Sequence, residues 1–436
     1  MRKPGILFCL GTLILPILSG LAFGSGFEIY NQGTKALGMG GAFTAQADDP
    51  TAIFFNPAGI TQLKGTQVSI GIGAIQPEMT FQSNGNSIMG STAGQETSIK
   101  AQTWFIPNGY VTHKLSDMFS IGLGSFSNFG LGVEWPRSFE GRFSQGAEKA
   151  VLTTYSFNPV IALAPVKWAS FGFGPVLQYM GIDLQNLVFI APPVPPLTGN
   201  RNLSQTAEGE LKGNNWAWGG SAGLLLHLPE NFHFGASYRS RVYHEITGGK
   251  QELSLLSNGA LIQSQGASSK LTLPSSFTVG LAWRKDPWTF EADAEWVEWS
   301  TYGKLEAQFS NGTSLSVPKN WNNSWTYMFG VQYALKVLSH YFDLRAGYRY
   351  EESPIPSDTL DPLVPSGVRM GFCLGLGSHF GPLTIDLGYN YVYDQPRKWN
   401  NASGDVELGP VTLTRVTGTF KDKYTNILAT NISYKF

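Results

Sequence analysis

After Thr66 the chain reads as fourteen strand-like runs whose connections alternate between a long polar loop and a turn of a few residues. The short turns fall near Leu115 to Asp117, Lys167, Leu228 to Asn231, Arg284 to Pro287, Lys336 to His340 and Phe380 to Pro382. A closed barrel with both chain ends on one side of a bilayer must gather its tight turns on that side, whereas a soluble sandwich has no reason to sort them. The expected fold class is therefore all-β: a transmembrane antiparallel barrel of 14 strands, with residues 66–436 forming the barrel. The runs are 66–82, 97–114, 118–128, 151–166, 168–185, 211–228, 231–247, 270–284, 287–299, 321–336, 340–351, 366–379, 382–394 and 423–436. An even count lets the sheet close with no free edge.

Parity along the runs supports the same reading. Leu383, Ile385, Leu387, Tyr389, Tyr391 and Tyr393 share one face, while Thr384, Asp386, Gly388 and Asn390 share the other. That is a strand with one lipid face and one polar face. Phe277, Val279, Leu281 and Trp283 repeat the pattern, and Phe342, Leu344, Ala346, Tyr348 and Tyr350 place Asp343, Arg345 and Arg349 in the lumen. The chain closes with Ile432, Tyr434 and Phe436 alternating with polar residues, an ending similar to the signal read by barrel-assembly machinery. Charged residues are only 14%, against roughly 25% in a typical soluble domain. With a formal net charge of -1, a basic surface for nucleic acid has no support.

Residues 1–24 read as a secretory signal: Arg2 and Lys3, an apolar run from Ile6 to Leu18, and Ala22, Phe23 and Gly24 before the expected cleavage. Residues 25–65 lack sustained alternation and carry Gly38 to Phe43, Ala47 to Pro50 and Asn56 to Ile60, too glycine-rich and apolar for a mere tail. A plug, or hatch, inside the barrel is expected.

In this order the residues carry a resemblance. Ser25, Gly26 and Phe27, the glycine-rich stretch, Ala47 with Asp48 and Asp49, Asn56 with Pro57 and Ala58, Ser127 to Leu131, Leu273 with Pro274, Asp293 with Trp296 and Trp299, and Pro354 to Tyr393 together resemble the long-chain fatty-acid transporters and aromatic-hydrocarbon channels of the bacterial outer membrane, the FadL and TodX type. The resemblance implies a fourteen-stranded barrel plugged by an N-terminal hatch, passive passage of hydrophobic molecules, and lateral escape through a gap made by a kinked third strand. Here the matching kink is Ser127, Asn128, Phe129 and Gly130, and hatch residues Phe27, Asp48, Asp49, Asn56, Pro57 and Ala58 are the candidates for gating. Glycines at 122, 124 and 130 supply a physical reason for a bulge there.

Binding candidates follow from apolarity on the water side. The third loop runs apolar from Leu187 to Leu197 and includes Phe189 and Ile190; the fourth supplies Leu253, Leu255, Leu256, Leu261 and Ile262. Phe126, Phe129, Leu131, Trp135, Phe139 and Phe143 add further apolar surface. A fatty acid also brings a carboxylate, which needs a cation or donors out of water. By parity Arg239 and Arg241 share the lumen face with His233 and Tyr243 and are the candidates, although Glu291, Asp293 and Glu295 nearby offer to neutralise them, and that salt-bridge role is the stronger expectation. A neutral hydrocarbon needs no cation.

An enzyme is not expected: His113, His227, His233, His340 and His379 lie near the short turns, and only His244, beside Glu245, approaches an outer loop. No metal-ligand cluster or phosphate-binding glycine loop is present, so neither metal nor cofactor is expected. A general porin would show a charged eyelet and no apolar outer loop or hatch, and a purely adhesive or structural barrel stays open. The expected partners are hydrophobic small molecules, outer-membrane lipid and, through Phe436, the assembly machinery.

Overall fold

The computed structural model describes residues 26–85, 92–143, 148–189, 206–400, 406–408, 411–413 and 416–436. Residues 1–24, expected as a signal segment, and Ser25 lie outside the described residues. The strands, numbered by their place in the wall, are β1 (Thr66–Ser83), β2 (Trp104–Lys114), β3 (Phe119–Phe126, resuming at Gly130–Glu134), β4 (Lys149–Val166), β5 (Ala169–Phe189), β6 (Thr206–His227), β7 (Phe232–Arg239, resuming at Val242–Leu255), β8 (Leu261–Leu273, resuming at Ser276–Lys285), β9 (Trp288–Val297), β10 (Ser324–Val337), β11 (His340–Glu351), β12 (Arg369–Phe380), β13 (Leu383–Asp394) and β14 (Thr417–Lys435). Each pairs antiparallel with its neighbours, and β14 returns to β1 from Gln67↔Lys435 upward, closing the sheet. No helix among the described residues is long and apolar enough to cross a membrane; the strands do so.

The parity reading holds through the wall's regular stretches. Leu387, Tyr389, Tyr391, Tyr393, Phe277, Leu281 and Leu344 are exposed on the outside, while Asp343, Arg345, Arg349, Asp386 and Asn390 are buried within. Burying charge in a lumen is tolerated because the charges are paired. Arg345 donates to Asp386 at 2.6 Å, Asp343 at 2.8 Å and Gln332 at 2.8 Å.

Several expected runs are interrupted. The run placed at 97–114 splits into Glu96–Ser98 and Trp104–Lys114, and the one at 118–128 stops at Phe126. The one at 231–247 pauses at Ser240 and Arg241 and then continues to Leu255; the one placed at 270–284 begins at Leu261 and breaks around Pro274. Stretches expected as loops thus extend the strands above the membrane, and Lys304–Phe309 with Ser314–Pro318 adds an outer hairpin.

Residues 26–64 fill the barrel with two short helices, α1 (Thr34–Gly38) and α2 (Ala52–Phe55), and a 3-10 turn at Pro57–Gln62. Helices this short are marginal alone and persist through tertiary packing. Asn56 shows why its motif reads as it does. Its Oδ1 accepts from Ala58 N at 3.2 Å, capping the turn that Pro57 opens, and its Nδ2 donates to Thr44 O at 2.8 Å and Leu224 O at 2.9 Å, fastening the turn to β6.

Candidate functional site

Two anchors hold the body of the hatch to the wall. Asp293 Oδ2 accepts from the backbone N–H groups of Phe43 at 3.0 Å and Thr44 at 2.9 Å; Glu291 accepts from Ala45 and Gln46. Successive N–H groups turned toward carboxylates form an anion-binding nest within the protein's own chain. On the periplasmic side Asp48 bridges Lys35 at 2.8 Å and Arg284 at 2.7 Å, while Asp49 accepts from Thr51 N at 2.8 Å to close the turn into α2.

The N-terminal arm, Phe27 to Gln32, is held differently, by the broken third strand. Glu28 and Phe129 form an isolated antiparallel bridge; Ile29 N donates to Asn128 O at 2.9 Å and Gly130 N to Phe27 O at 2.7 Å. Gln32 donates to Ile29 O and Ser127 O and accepts from Ser127 N. The arm therefore supplies hydrogen bonds that the interrupted ladder has lost. β2 pairs β3 only from Gly109↔Ser125 downward, so Trp104 to Asn108 face the break.

Above the arm Phe27 sits in a cage of rings: Trp299 at 4.7 Å between centroids, Trp321 at 5.6 Å, Tyr302 at 5.7 Å and Phe129 at 6.1 Å. Three of these four contacts, those with Trp299, Tyr302 and Phe129, are edge-to-face, the arrangement aromatic quadrupoles favour. An apolar layer including Leu131, Val133, Trp135, Ile355, Leu360, Leu363 and Val364 continues outward from the cage. The segment after β11 is strapped across it: Trp135 Nε1 donates to Pro362 O at 3.0 Å, Asn322 N to Pro354 O at 2.8 Å, and Lys319 pairs with Asp361. Burial opposes the Lys319 charge, but Asp361 and Tyr302 outweigh it and hold the ammonium above the ordinary lysine range.

Of the expected ligand residues, Phe129 and Leu131 come together in this cluster. Phe126 lies lower, edge-to-face with hatch Phe54 at 5.1 Å and stacked against Tyr110 at 6.3 Å. Leu187 is buried, and Leu255 sits at the base of the fourth loop; Ala207 pairs with Val188 on one side and Leu255 on the other, so both loop bases belong to one sheet. Ile190 and Leu197 lie outside the described residues. Leu261 and Ile262 are exposed.

The arginine expectation requires correction. The break at Ser240 and Arg241 inverts the alternation, so Arg239 points inward while Arg241 and Tyr243 are exposed. Arg241 pairs with Glu298 at 2.7 Å rather than with Glu291 or Asp293, which serve the hatch backbone instead. Arg239 lies over the rings of Phe54 at 4.2 Å and Phe126 at 4.9 Å and donates to the carbonyls of Ile53 and Phe54. With Glu28, Tyr30, Phe55, Glu295 and Arg349 it lines a small lumen cavity.

Sequence reasoning missed Gln32, Trp321 and Tyr302, which earn their places only through long-range convergence. The one usable signal was tryptophan and tyrosine set in outer loops, where the girdle rule does not require them. Among the described residues no group of His, Cys, Asp and Glu is placed to hold a metal ion.

The family description "outer membrane protein transport protein (OMPP1/FadL/TodX)" matches residues 15–436. The long-chain fatty acid transport protein of Escherichia coli O6:H1 is 26% identical over 425 residues, covering 90% of this chain and 92% of that protein. The crystal structure of a Pseudomonas aeruginosa FadL homologue shares the fold with a TM-score of 0.79 at 21% identity, covering 94% of this chain and 100% of the other. The Pseudomonas putida toluene transporter TodX does so with a TM-score of 0.69 at 18% identity, over 95% and 100%. A hatch tied to a broken strand beneath an aromatic cage, within a closed barrel of fourteen strands, thus belongs to a member of the OMPP1/FadL/TodX family of outer-membrane transport proteins.

Proposed function

We propose that the protein admits hydrophobic small molecules, long-chain fatty acids or similar, by passive diffusion: capture between the third and fourth loops, transfer into the ring cage, displacement of the arm, and lateral exit at Ser127 to Gly130. The observation that carries this reading is that one arm fills both the cage and the break in the wall. A ligand that takes the place of Phe27 competes for rings, and an arm that leaves the cage also releases the main chain of Asn128 and Gly130. The hatch body, anchored through Glu291, Asp293 and Asp48, stays behind and keeps the straight path to the periplasm closed. Related proteins named for fatty acid transport and for toluene transport frame the substrate choice.

A second reading, uptake of aromatic hydrocarbons by the same route, draws on a specific observation. The buried cations around the path already have partners: Arg239 the hatch carbonyls, Lys319 Asp361, Arg349 Glu351. An entering carboxylate must displace one of them, whereas a neutral ring need not. The test is uptake of radiolabelled oleate and toluene by cells with and without the protein, alongside Gln32→Ala. Uptake of either, faster when Gln32 is lost, is the expected result, and the preferred compound names the substrate class. A folded barrel that takes up neither leaves an adhesive or structural role.

A further inference from the structure

Besides the kink and a short gap of 158–160 opposite 174–176 between β4 and β5, the wall is interrupted between β6 and β7. The two strands pair from His227↔His233 up to Ser221↔Arg239 and again from Lys212↔Lys250 to Ala207↔Leu255. Between these ladders 213–219 and 241–249 face one another without main-chain pairing, although 213–219 stay paired with β5 and, from Val242 on and apart from a bulge after Ile246, β7 stays paired with β8. Ser240 N still donates to Gly220 O at the lower end, and Asn215 Nδ2 crosses the seam to Glu245 O at 3.2 Å. Unpaired main chain in a bilayer costs several kcal/mol per group, about as much as any local feature of a barrel wall.

This seam stands at the level of the kink. Each follows an eight-residue strand segment rising from a periplasmic turn, Phe119–Phe126 in one case and Phe232–Arg239 in the other. Eight tilted residues climb roughly 20 Å, into the outer half of the apolar band. A hydrogen-bonded chain along the inner wall joins the two. Asn128, in the kink, accepts from Gln178 Nε2 at 2.9 Å; Gln178 Oε1 meets His244 Nε2 at 3.1 Å; His244 Nδ1 meets Asn215 Oδ1 at 2.7 Å, in the seam.

From within, Val242, Ile246 and, between them, the buried His244 bonded to Asn215 cover the seam. Val242 and Ile246 are buried, and each rests on a glycine of β6: a Cβ on Gly219 would lie 2.8 Å from Val242 Cγ2, and one on Gly213 2.5 Å from Ile246 Cγ2. Outside, Trp216, Trp218 and Tyr243 are exposed toward lipid, and Trp216 stands against Tyr179 at 5.3 Å. An unladdered stretch covered by Val242, His244 and Ile246, with lumen on one side and an aromatic platform on the other, is held together by side chains rather than by main chain.

We propose that the β6–β7 seam is a second lateral portal, through which uncharged or singly charged hydrophobic molecules exchange between lumen and outer leaflet independently of the kink. The proposal rests on the transport reading above. The test is a reversible staple. Cysteines replacing Gly219 and Val242 bring Cβ and Sγ to a separation close to that across a disulfide, and the control pair replaces Leu224 and Ala236, directly opposed within the intact ladder below. Uptake of oleate and toluene is measured in oxidised and reduced cells, with heat-modifiable gel mobility confirming a folded barrel. The expected result is a fall of about twofold in the oxidised seam variant, recovered on reduction, no change in the control, and a rise above wild type in Ile246→Gly. Unchanged uptake in the oxidised, folded seam variant overturns the second portal while leaving the transport reading intact. Absence of uptake in the unaltered protein overturns both.

Discussion

Lys319 and Asp361 are nearly inaccessible to solvent and belong to separate outer segments, so the cap over the ring cage depends on an ion pair with little water around it. Removing one partner of such a pair typically costs about 3–5 kcal/mol, because the other is left buried and uncompensated. Asp361→Asn is therefore expected to loosen the cap without unfolding the barrel, seen as faster proteolysis of the segment after β11. The pair also fixes a pH dependence. A lysine whose folded pKa is raised contributes stability in full below its unfolded value near 10.4 and loses it as pH rises through the folded value. The cap should resist protease equally at pH 7 and pH 9 and yield only in strongly alkaline buffer. Arg239 gives a sharper test of substrate chemistry. Because its donors go to the carbonyls of Ile53 and Phe54, Arg239→Met should change oleate and toluene uptake alike; a loss confined to oleate marks it instead as a carboxylate ligand.

At the scale of elements, the anchors on β9 make the hatch body a fixed part of the wall. Glu291→Gln with Asp293→Asn weakens four hydrogen bonds to backbone N–H groups, each charge-assisted contact contributing roughly 1.5–3 kcal/mol. Single-channel recordings in planar bilayers should show open bursts in this double variant and none in Arg241→Ala, whose exposed side chain pairs with Glu298 and not with the hatch. The same strands show what a sequence reveals. Alternation from Leu383 to Tyr393 was legible because nothing interrupts it, and the lipid and lumen faces follow directly. At Ser240 and Arg241 alternation misled, because a break inverts every later side chain and leaves no mark in composition. The kink at Ser127 could be placed through its glycines and its family resemblance. Gln32 and Trp321 could not, since their roles exist only once residues far apart in sequence meet.

For the molecule as a whole, closure of β14 on β1 is the step that makes a membrane protein of a sheet with two edges. Phe436 extends that last strand and donates its N–H to Thr66 O at 2.9 Å. Deleting Phe436 should cut the heat-modifiable, membrane-inserted fraction several-fold while leaving synthesis unchanged, as immunoblots of outer-membrane preparations will show. One contact carries this further. Thr34, near the start of the hatch, gives both its backbone N–H and its hydroxyl to Asn431 Oδ1 on β14, and Asn431 Nδ2 reaches Ser69 and Asn108 on the first two strands. The segment synthesised first therefore has no complete seat until the segment synthesised last arrives. The plug's set of contacts is complete only as the cylinder shuts.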